Sequence, residues 1–331
     1  MLLGEKTYVF NDINIKYMLQ KNNESDKLVI VFSGFSLGKP VYNYIRTLQN
    51  VNVNKLFILD DYGGRGGYYI GNINNLEQEY AVVKLIDEVL EDYNIDRKNV
   101  VCVGSSKGGW AALYYAVKYQ FGYVIAGEPQ ITIAKYLKFA NSEDVLEYMT
   151  IGSEDLHIAN EKLDLLLYDE YKKAIGEQRK LPLVFIHAGV NSWHYREQII
   201  PFINVLGKYG NDFLLDIENY EKHDDLTYYF PNLLTKVISE IFHELNNDIY
   251  ISSLNTIRCE NKFIIEINAL NADEFALYVY KNGERVHIEN YSKKNSFLYE
   301  ANSEGDYIFV CFARNQDKKM IQAQSPKYHM K

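Results

Sequence analysis

The stretch "VCVGSSKGGW" (101–110) decides how this chain is read. An apolar run enters a glycine-bounded turn holding two adjacent serines, and a helix-like segment follows. Gly104-Ser105-Ser106-Lys107-Gly108 fits G-x-S-x-G, in the strand–turn–helix context that a nucleophile elbow requires. The glycines let the chain turn sharply and let the helix approach the sheet. Ser106 then projects at the C-terminal edge of the sheet, where the helix dipole and the Lys107 N–H can stabilise an oxyanion. A Walker A loop would need Lys after its glycines, whereas Lys107 precedes them. The bland alternative is a structural turn in a sheet without chemistry.

On either side of this turn, apolar runs alternate with helical periodicity. "KLVIVFS" (27–33), "KLFILD" (55–60), "NVVCVGS" (99–105), "YVIAG" (123–127), "LPLVFIHAG" (181–189) and "DFLLDI" (212–217) read as strands. Between and after them, 40–49, 76–93, 107–121, 196–208 and 231–245 read as helices, with 131–178 leaning helical. In 76–93 the apolar face is Leu76, Tyr80, Val83, Ile86 and Leu90. Residues 1–25 read as a hairpin turning at Asn11-Asp12. The expected fold is therefore α/β: a mostly parallel sheet with helices on both faces. From residue 248 onward only strand-like segments appear, with a hairpin signal at Asn282-Gly283. The expected organisation is a catalytic domain over 1–247 and a small all-β sandwich over 248–331 that positions glycan. Tyr278, Tyr280, Tyr291 and Tyr299 are its candidate sugar-stacking residues.

Bulk properties exclude several classes. The 331 residues are 47% hydrophobic and 24% charged, as in a globular protein, and the net charge of −9 disfavours nucleic acid or an anionic membrane as partner. Cys102, Cys259 and Cys311 are far apart and lack metal-ligand spacing, so neither a zinc site nor a disulfide framework is expected. "MLLGEKTYVF" has no basic region followed by a long apolar one, and no apolar window is long enough to span a bilayer. A cytoplasmic protein without membrane insertion is expected.

A serine nucleophile needs a base. His223, in "NYEKHDDLTYYFP", lies between the last parallel strand and the closing helix, where an α/β-hydrolase arrangement places its histidine. His187 reads as a core residue at a strand end, and His243 as a residue covering the core edge. The acid should follow "LPLVFIHAG", but the chain there reads "VNSWHYREQ" without an Asp. Glu197 is the first choice. Asp155, Asp216 or a neutral Asn191 or Ser192 are the alternatives. The second oxyanion donor is expected from the N–H of Gly34 or Phe35, in "FSGFSLGKP". Arg65, within "DDYGGRGGYY", could grip an anionic substrate or simply be solvated.

Four blocks carry a family resemblance: "VFSGFSLGKPVYNYIRTL", "FILDDYGGRGGYYIG", "GSSKGGWAALYYAVKYQFGYVIAGEPQ" and "HDDLTYYFP". Over about residues 25–245 the chain resembles bacterial α/β-hydrolase-like capsule biosynthesis proteins (XcbB/CpsF-like) and the serine-dependent O-acetyltransferases of capsule and accessory Sec loci. Its C-terminal part is similar to three-Y β modules. The resemblance implies Ser106 as nucleophile, His223 as base and an acidic residue just after "HAG", where this chain has Asn191-Ser192-Trp193. It implies acyl transfer to a bacterial surface glycan or activated sugar, or hydrolysis of its esters. Acetyl-CoA is then a candidate donor, no cofactor is permanently bound, and other capsule or secretion proteins are candidate partners. The rival reading is a catalytically silent glycan-binding or scaffold protein of the same machinery.

Overall fold

The computed structural model describes residues 4–36 and 38–330. Met1–Leu3, Leu37 and Lys331, which fall within the N-terminal, 33–40 and C-terminal segments discussed above, lie outside the described residues. The chain divides into two compact units, Met1–Thr235 and Lys236–Lys331.

In the first unit eight strands form one sheet. They are β1 (Glu5–Phe10), β2 (Ile13–Gln20), β3 (Leu28–Phe32), β4 (Asn54–Ile58), β5 (Val100–Ser105), β6 (Tyr123–Gly127), β7 (Leu183–Gly189) and β8 (Phe213–Glu218). Their order is β1-β2-β4-β3-β5-β6-β7-β8. Strands β3 to β8 pair in parallel, and the β1–β2 hairpin joins β4 antiparallel. Asn11 and Asp12 turn the hairpin at φ 44° and 66°, the left-handed pair a two-residue turn requires. Every residue of β3, β4 and β5 is buried, which is why these strands read as unbroken apolar runs rather than alternating ones. The sheet is of α/β-hydrolase type.

The helices are α1 (Glu77–Asp92), α2 (Lys107–Tyr119), α3 (Ile133–Phe139), α4 (Glu143–Met149), α5 (Leu156–Gly176), α6 (Ile200–Lys208) and α7 (Leu226–Leu245). Helix α2 runs behind the sheet's central strands and is almost wholly buried. Its approach depends on two glycines. A Cβ at Gly104 would lie 2.2 Å from the Gly108 carbonyl carbon, and one at Gly108 would lie 2.3 Å from the Phe32 oxygen. No helix among the described residues is long and apolar enough to cross a membrane.

Three local expectations fail. Residues 40–44 are irregular and 45–49 form turns, so no helix is present there. Tyr44 takes φ 61°, and the side chains of Asn43 and Tyr44 bond to the Gly34 N–H and to Ser105. Helix α7 begins at Leu226, five residues before Pro231, so the proline lies inside the helix, where it gives up the bond to the Thr227 carbonyl. Tyr80 on α1 is 55% exposed, while its neighbour Glu79 is buried beneath the hydroxyls of Tyr114 and Tyr119. The helix still buries Val82, Leu85, Ile86, Val89 and Leu90, so only the Tyr80 end of the expected face is displaced.

The second unit holds two antiparallel sheets. One has the order β13-β10-β9, from β9 (Tyr250–Cys259), β10 (Lys262–Leu270) and β13 (Ser296–Glu300). The other has the order β12-β11-β14-β15, from β11 (Glu274–Lys281), β12 (Glu284–Ser292), β14 (Gly305–Arg314) and β15 (Met320–Gln324), with β16 (Tyr328–Met330) also on β14. Phe263, Ile265 and Ile267 of β10 share a core with Leu277, Val279, Phe309 and Cys311. The four tyrosines expected to stack on sugars are all half-buried. Arg285 lies over the Tyr278 ring at 4.9 Å, Arg314 over Tyr291 at 3.7 Å, and Tyr299 packs against Phe309 at 5.8 Å. Three of the four rings are therefore already engaged.

Candidate functional site

Ser106 follows the last residue of β5 and precedes the first of α2, at φ 55° and ψ −121°. Left-handed φ is costly for a residue with a side chain, and a non-glycine held there points to a constrained functional turn. Four backbone bonds hold it, one of them from the Gly109 N–H to the Ser106 carbonyl at 3.1 Å. The Ser106 N–H donates to the Gly127 oxygen at 2.8 Å, and its own carbonyl accepts from the N–H groups of Trp110 and Gln130, each at 3.2 Å. The Ser106 Oγ is buried and accepts a hydrogen bond from Gln130 Nε2. The Tyr136 phenol also interacts with the Ser106 and Gln130 side chains. Ser105 engages a different neighbour, and its Oγ accepts from the Tyr44 hydroxyl at 2.7 Å.

The neighbouring strand end supplies a carboxylate. Ser105 of β5 and Gly127 of β6 are register partners, so Ser106 and Glu128 are the first residues past two adjacent strands. Glu128 takes φ 40° and is fully buried. Its Oε1 accepts from the Gly189 N–H at 3.1 Å, and its Oε2 meets His223 Nδ1 at 2.5 Å. Burial favours the neutral acid, but hydrogen bonds from His223 and Ser192 outweigh it and hold the carboxyl below its ordinary value. Glu128 is therefore ionised at neutral pH. His223 sits in the short helical turn His223–Asp225 after β8. With Nδ1 on a carboxylate, its Nε2 is the nitrogen left to exchange a proton.

A second histidine lies on the first. The His194 ring stacks on His223 with centroids 4.1 Å apart and planes 17° from parallel. Burial and the neighbouring His223 push its pKa down to about 3, so it is neutral. Donor atoms of Glu128, His194 and His223 lie within 4.8 Å of one another. The near-parallel rings direct their in-plane lone pairs side by side, which is poor geometry for one shared cation.

The other expected residues have different partners. Glu197 is exposed and pairs with Lys135 at 2.8 Å, so the carboxylate on His223 is Glu128 instead. Asp155 caps α5 through the N–H groups of His157 and Ile158, and Asp216 pairs with His187 at 2.6 Å. Asn191 bonds to Asn219, while Ser192 bonds to Glu128. The Gly34 N–H donates to Asn43 Oδ1 at 2.8 Å and is thus occupied. Lys107, as the first residue of α2, presents an N–H without an intrahelical acceptor. Its side chain is buried against Asp60 at 2.9 Å. Arg65 is gripped by both carboxylate oxygens of Asp144 and lies over the Phe35 ring at 4.9 Å, so its charge is already answered.

Glu128 was missed because the acid was sought after β7, one strand too far from the nucleophile. The signal was nonetheless present: "AGEPQ" places a carboxylate directly past the strand adjoining the elbow.

Solved structures similar to this chain include a histidine variant of the capsule O-acetyltransferase of Neisseria meningitidis serogroup A in complex with CoA. It is 22% identical, covers 72% of this chain and 96% of its own, and has a TM-score of 0.60. The Glycosylation Associate Protein (Gap123) complex from Streptococcus agalactiae matches with 19% identity over 73% of this chain and 47% of that one, at TM-score 0.60. A fluorophosphonate-binding serine hydrolase of Staphylococcus aureus, FphF, matches with 15% identity over 72% and 96%, at TM-score 0.56. At these identities the likeness establishes the fold. Among curated proteins, an accessory Sec system protein of Staphylococcus aureus (strain NCTC 8325 / PS 47) is 23% identical over 194 residues, 56% of this chain. The chain spans about a third of that relative's length, 36%. The family described as "Accessory Sec system GspB-transporter" matches residues 9–177, half of the chain and the part containing both the elbow and Glu128, and the chain belongs to this accessory Sec family.

Proposed function

We propose that this protein is a serine acyl-transfer enzyme acting on a bacterial surface glycan or its precursor, with Ser106, His223 and Glu128 as its triad. The single observation carrying the reading is the Glu128–His223 pair, built on the strand end adjoining the Ser106 elbow. Ser106 Oγ attacks the acyl carbonyl while His223 Nε2 takes its proton, and Glu128 holds the imidazole tautomer and balances its charge. The Lys107 N–H faces the developing oxyanion. Collapse expels the donor's leaving group, protonated by His223, and a sugar hydroxyl or water then receives the acyl group. The fold of the CoA-bound O-acetyltransferase supports acetyl-CoA as donor. Membership of an accessory Sec family supports a glycan substrate handled with secretion machinery and protein partners from it. The rival scaffold reading rested on the missing acid after "HAG", and Glu128 meets that want from another strand.

A fluorophosphonate probe should label the protein at Ser106, with no label on Ser106→Ala. Glu128→Gln should lower kcat on p-nitrophenyl acetate by roughly 10³–10⁴-fold with little change in KM, as for loss of a triad carboxylate. Glu197→Gln should stay near wild type. A wild-type protein that neither labels nor turns over the ester would return the scaffold reading.

A further inference from the structure

Of the two N–H groups expected as the second oxyanion donor, Gly34 and Phe35, that of Gly34 is committed to Asn43. The atom aimed at the nucleophile is instead a side-chain amide. Gln130 is fully buried, and three constraints fix it. Its backbone N–H donates to the Ser106 carbonyl at 3.2 Å, so it is tied to the elbow itself. Its Oε1 accepts the Tyr68 hydroxyl at 2.5 Å, which fixes which end of the amide is oxygen. Tyr68 is in turn buried edge-on against Trp110 of α2, with ring centroids 5.8 Å apart. The Nε2 end is thereby directed at Ser106 Oγ. An NH₂ group donates and does not accept, so Gln130 cannot serve as the base. A buried, pre-oriented donor beside the nucleophile suits stabilisation of negative charge that develops next to it.

We propose that Gln130 is a catalytic residue: its Nε2 amide donates to the oxyanion together with the Lys107 N–H, in the role expected of the Gly34 or Phe35 N–H. As the Ser106 Oγ–carbon bond forms, the carbonyl π pair moves onto oxygen and the serine proton passes to His223. The amide N–H that bonds Ser106 Oγ turns to the new oxyanion on the same carbon, while the Tyr136 phenol stays beside the amide. This rests on the triad reading above.

Gln130→Met removes the donor at similar volume. Gln130→Glu is isosteric and keeps an acceptor for Tyr68, so it carries the test if the first variant does not fold. For both, kcat on p-nitrophenyl acetate should fall about 10²–10³-fold with KM nearly unchanged. The inhibition constant of a trifluoromethyl ketone, which forms a tetrahedral adduct on serine, should rise in proportion to the fall in kcat/KM. A purely packing role would not produce that proportionality. Folded Gln130 variants with wild-type kcat and ketone affinity overturn the proposal and leave the triad standing. Loss of that size in Tyr136→Phe, with the Gln130 variants unaffected, overturns it in favour of the phenol. A wild-type protein unlabelled at Ser106 by fluorophosphonate removes both the triad and the proposal.

Discussion

Ser105 and Ser106 differ by one position in the chain and by everything in environment. Ser106→Ala should abolish acyl transfer, while Ser105→Ala should lose only the Tyr44 bond and keep most activity, measured on the same ester. Comparable loss in two folded variants would undo the assignment. His194 offers a separate test through stability. Its folded pKa of about 3 lies below the ordinary value of 6.5. Between those values the unfolded chain holds a proton on this ring that the folded protein does not. Stability from this group is therefore fully present above about pH 6.5 and is lost as pH falls toward 3. One such proton is worth up to ~1.4 kcal/mol per pH unit. His194→Phe keeps a ring stacked on His223 but cannot titrate. Its unfolding free energy in urea should depend on pH less steeply near about pH 5, by close to one proton. An unchanged slope would contradict a neutral His194.

At the scale of elements, the glycine-rich segment after β4 is fastened to the elbow. Asp60 accepts from the Gly67 N–H at 3.0 Å, the Tyr69 N–H at 3.2 Å, Gln78 Nε2 at 3.0 Å and Lys107 Nζ at 2.9 Å. Both charges of the Asp60–Lys107 pair are essentially inaccessible to water. Such a pair adds little net stability over an apolar pair, but removing one partner strands the other. Lys107→Met should cost about 3–5 kcal/mol in urea unfolding. Adding Asp60→Asn should recover part of that loss. Arg65→Ala should change stability by only ~0–1 kcal/mol, since its partner Asp144 is largely solvent-exposed. A larger loss for Arg65→Ala than for Lys107→Met would reverse this ranking.

On the scale of the whole molecule, every group proposed for chemistry lies before Thr235. A chain ending at Asn247 keeps α7 whole, including Phe230, whose ring would meet a Cβ at Gly127 at 3.0 Å. We expect that chain to fold by circular dichroism and to hydrolyse p-nitrophenyl acetate at a rate near the full-length value. We also expect weaker binding of polymeric glycan. A folded truncation unable to turn over the ester would give the β unit a part in the chemical step. The composition change near residue 248 suggested a boundary after α7, whereas the compact units meet between Thr235 and Lys236, inside that helix. Helical periodicity continues across a boundary that only packing defines.

The order of residues along the chain was enough to specify the parallel sheet, the elbow and the histidine loop. Unbroken apolar runs have few other uses than strands covered on both faces, and a strand–G-x-S-x-G–helix junction has few other geometries. Which carboxylate meets His223, and which donor faces Ser106, emerged only from the folded chain. Those pairings join residues 95 and 24 positions apart, through strand order and through the competition of Asn43, Lys135 and Asp144 for the groups first expected there. Local periodicity records which face of an element is apolar. It does not record which polar neighbour, brought in from a distant segment, has already satisfied a donor or an acid.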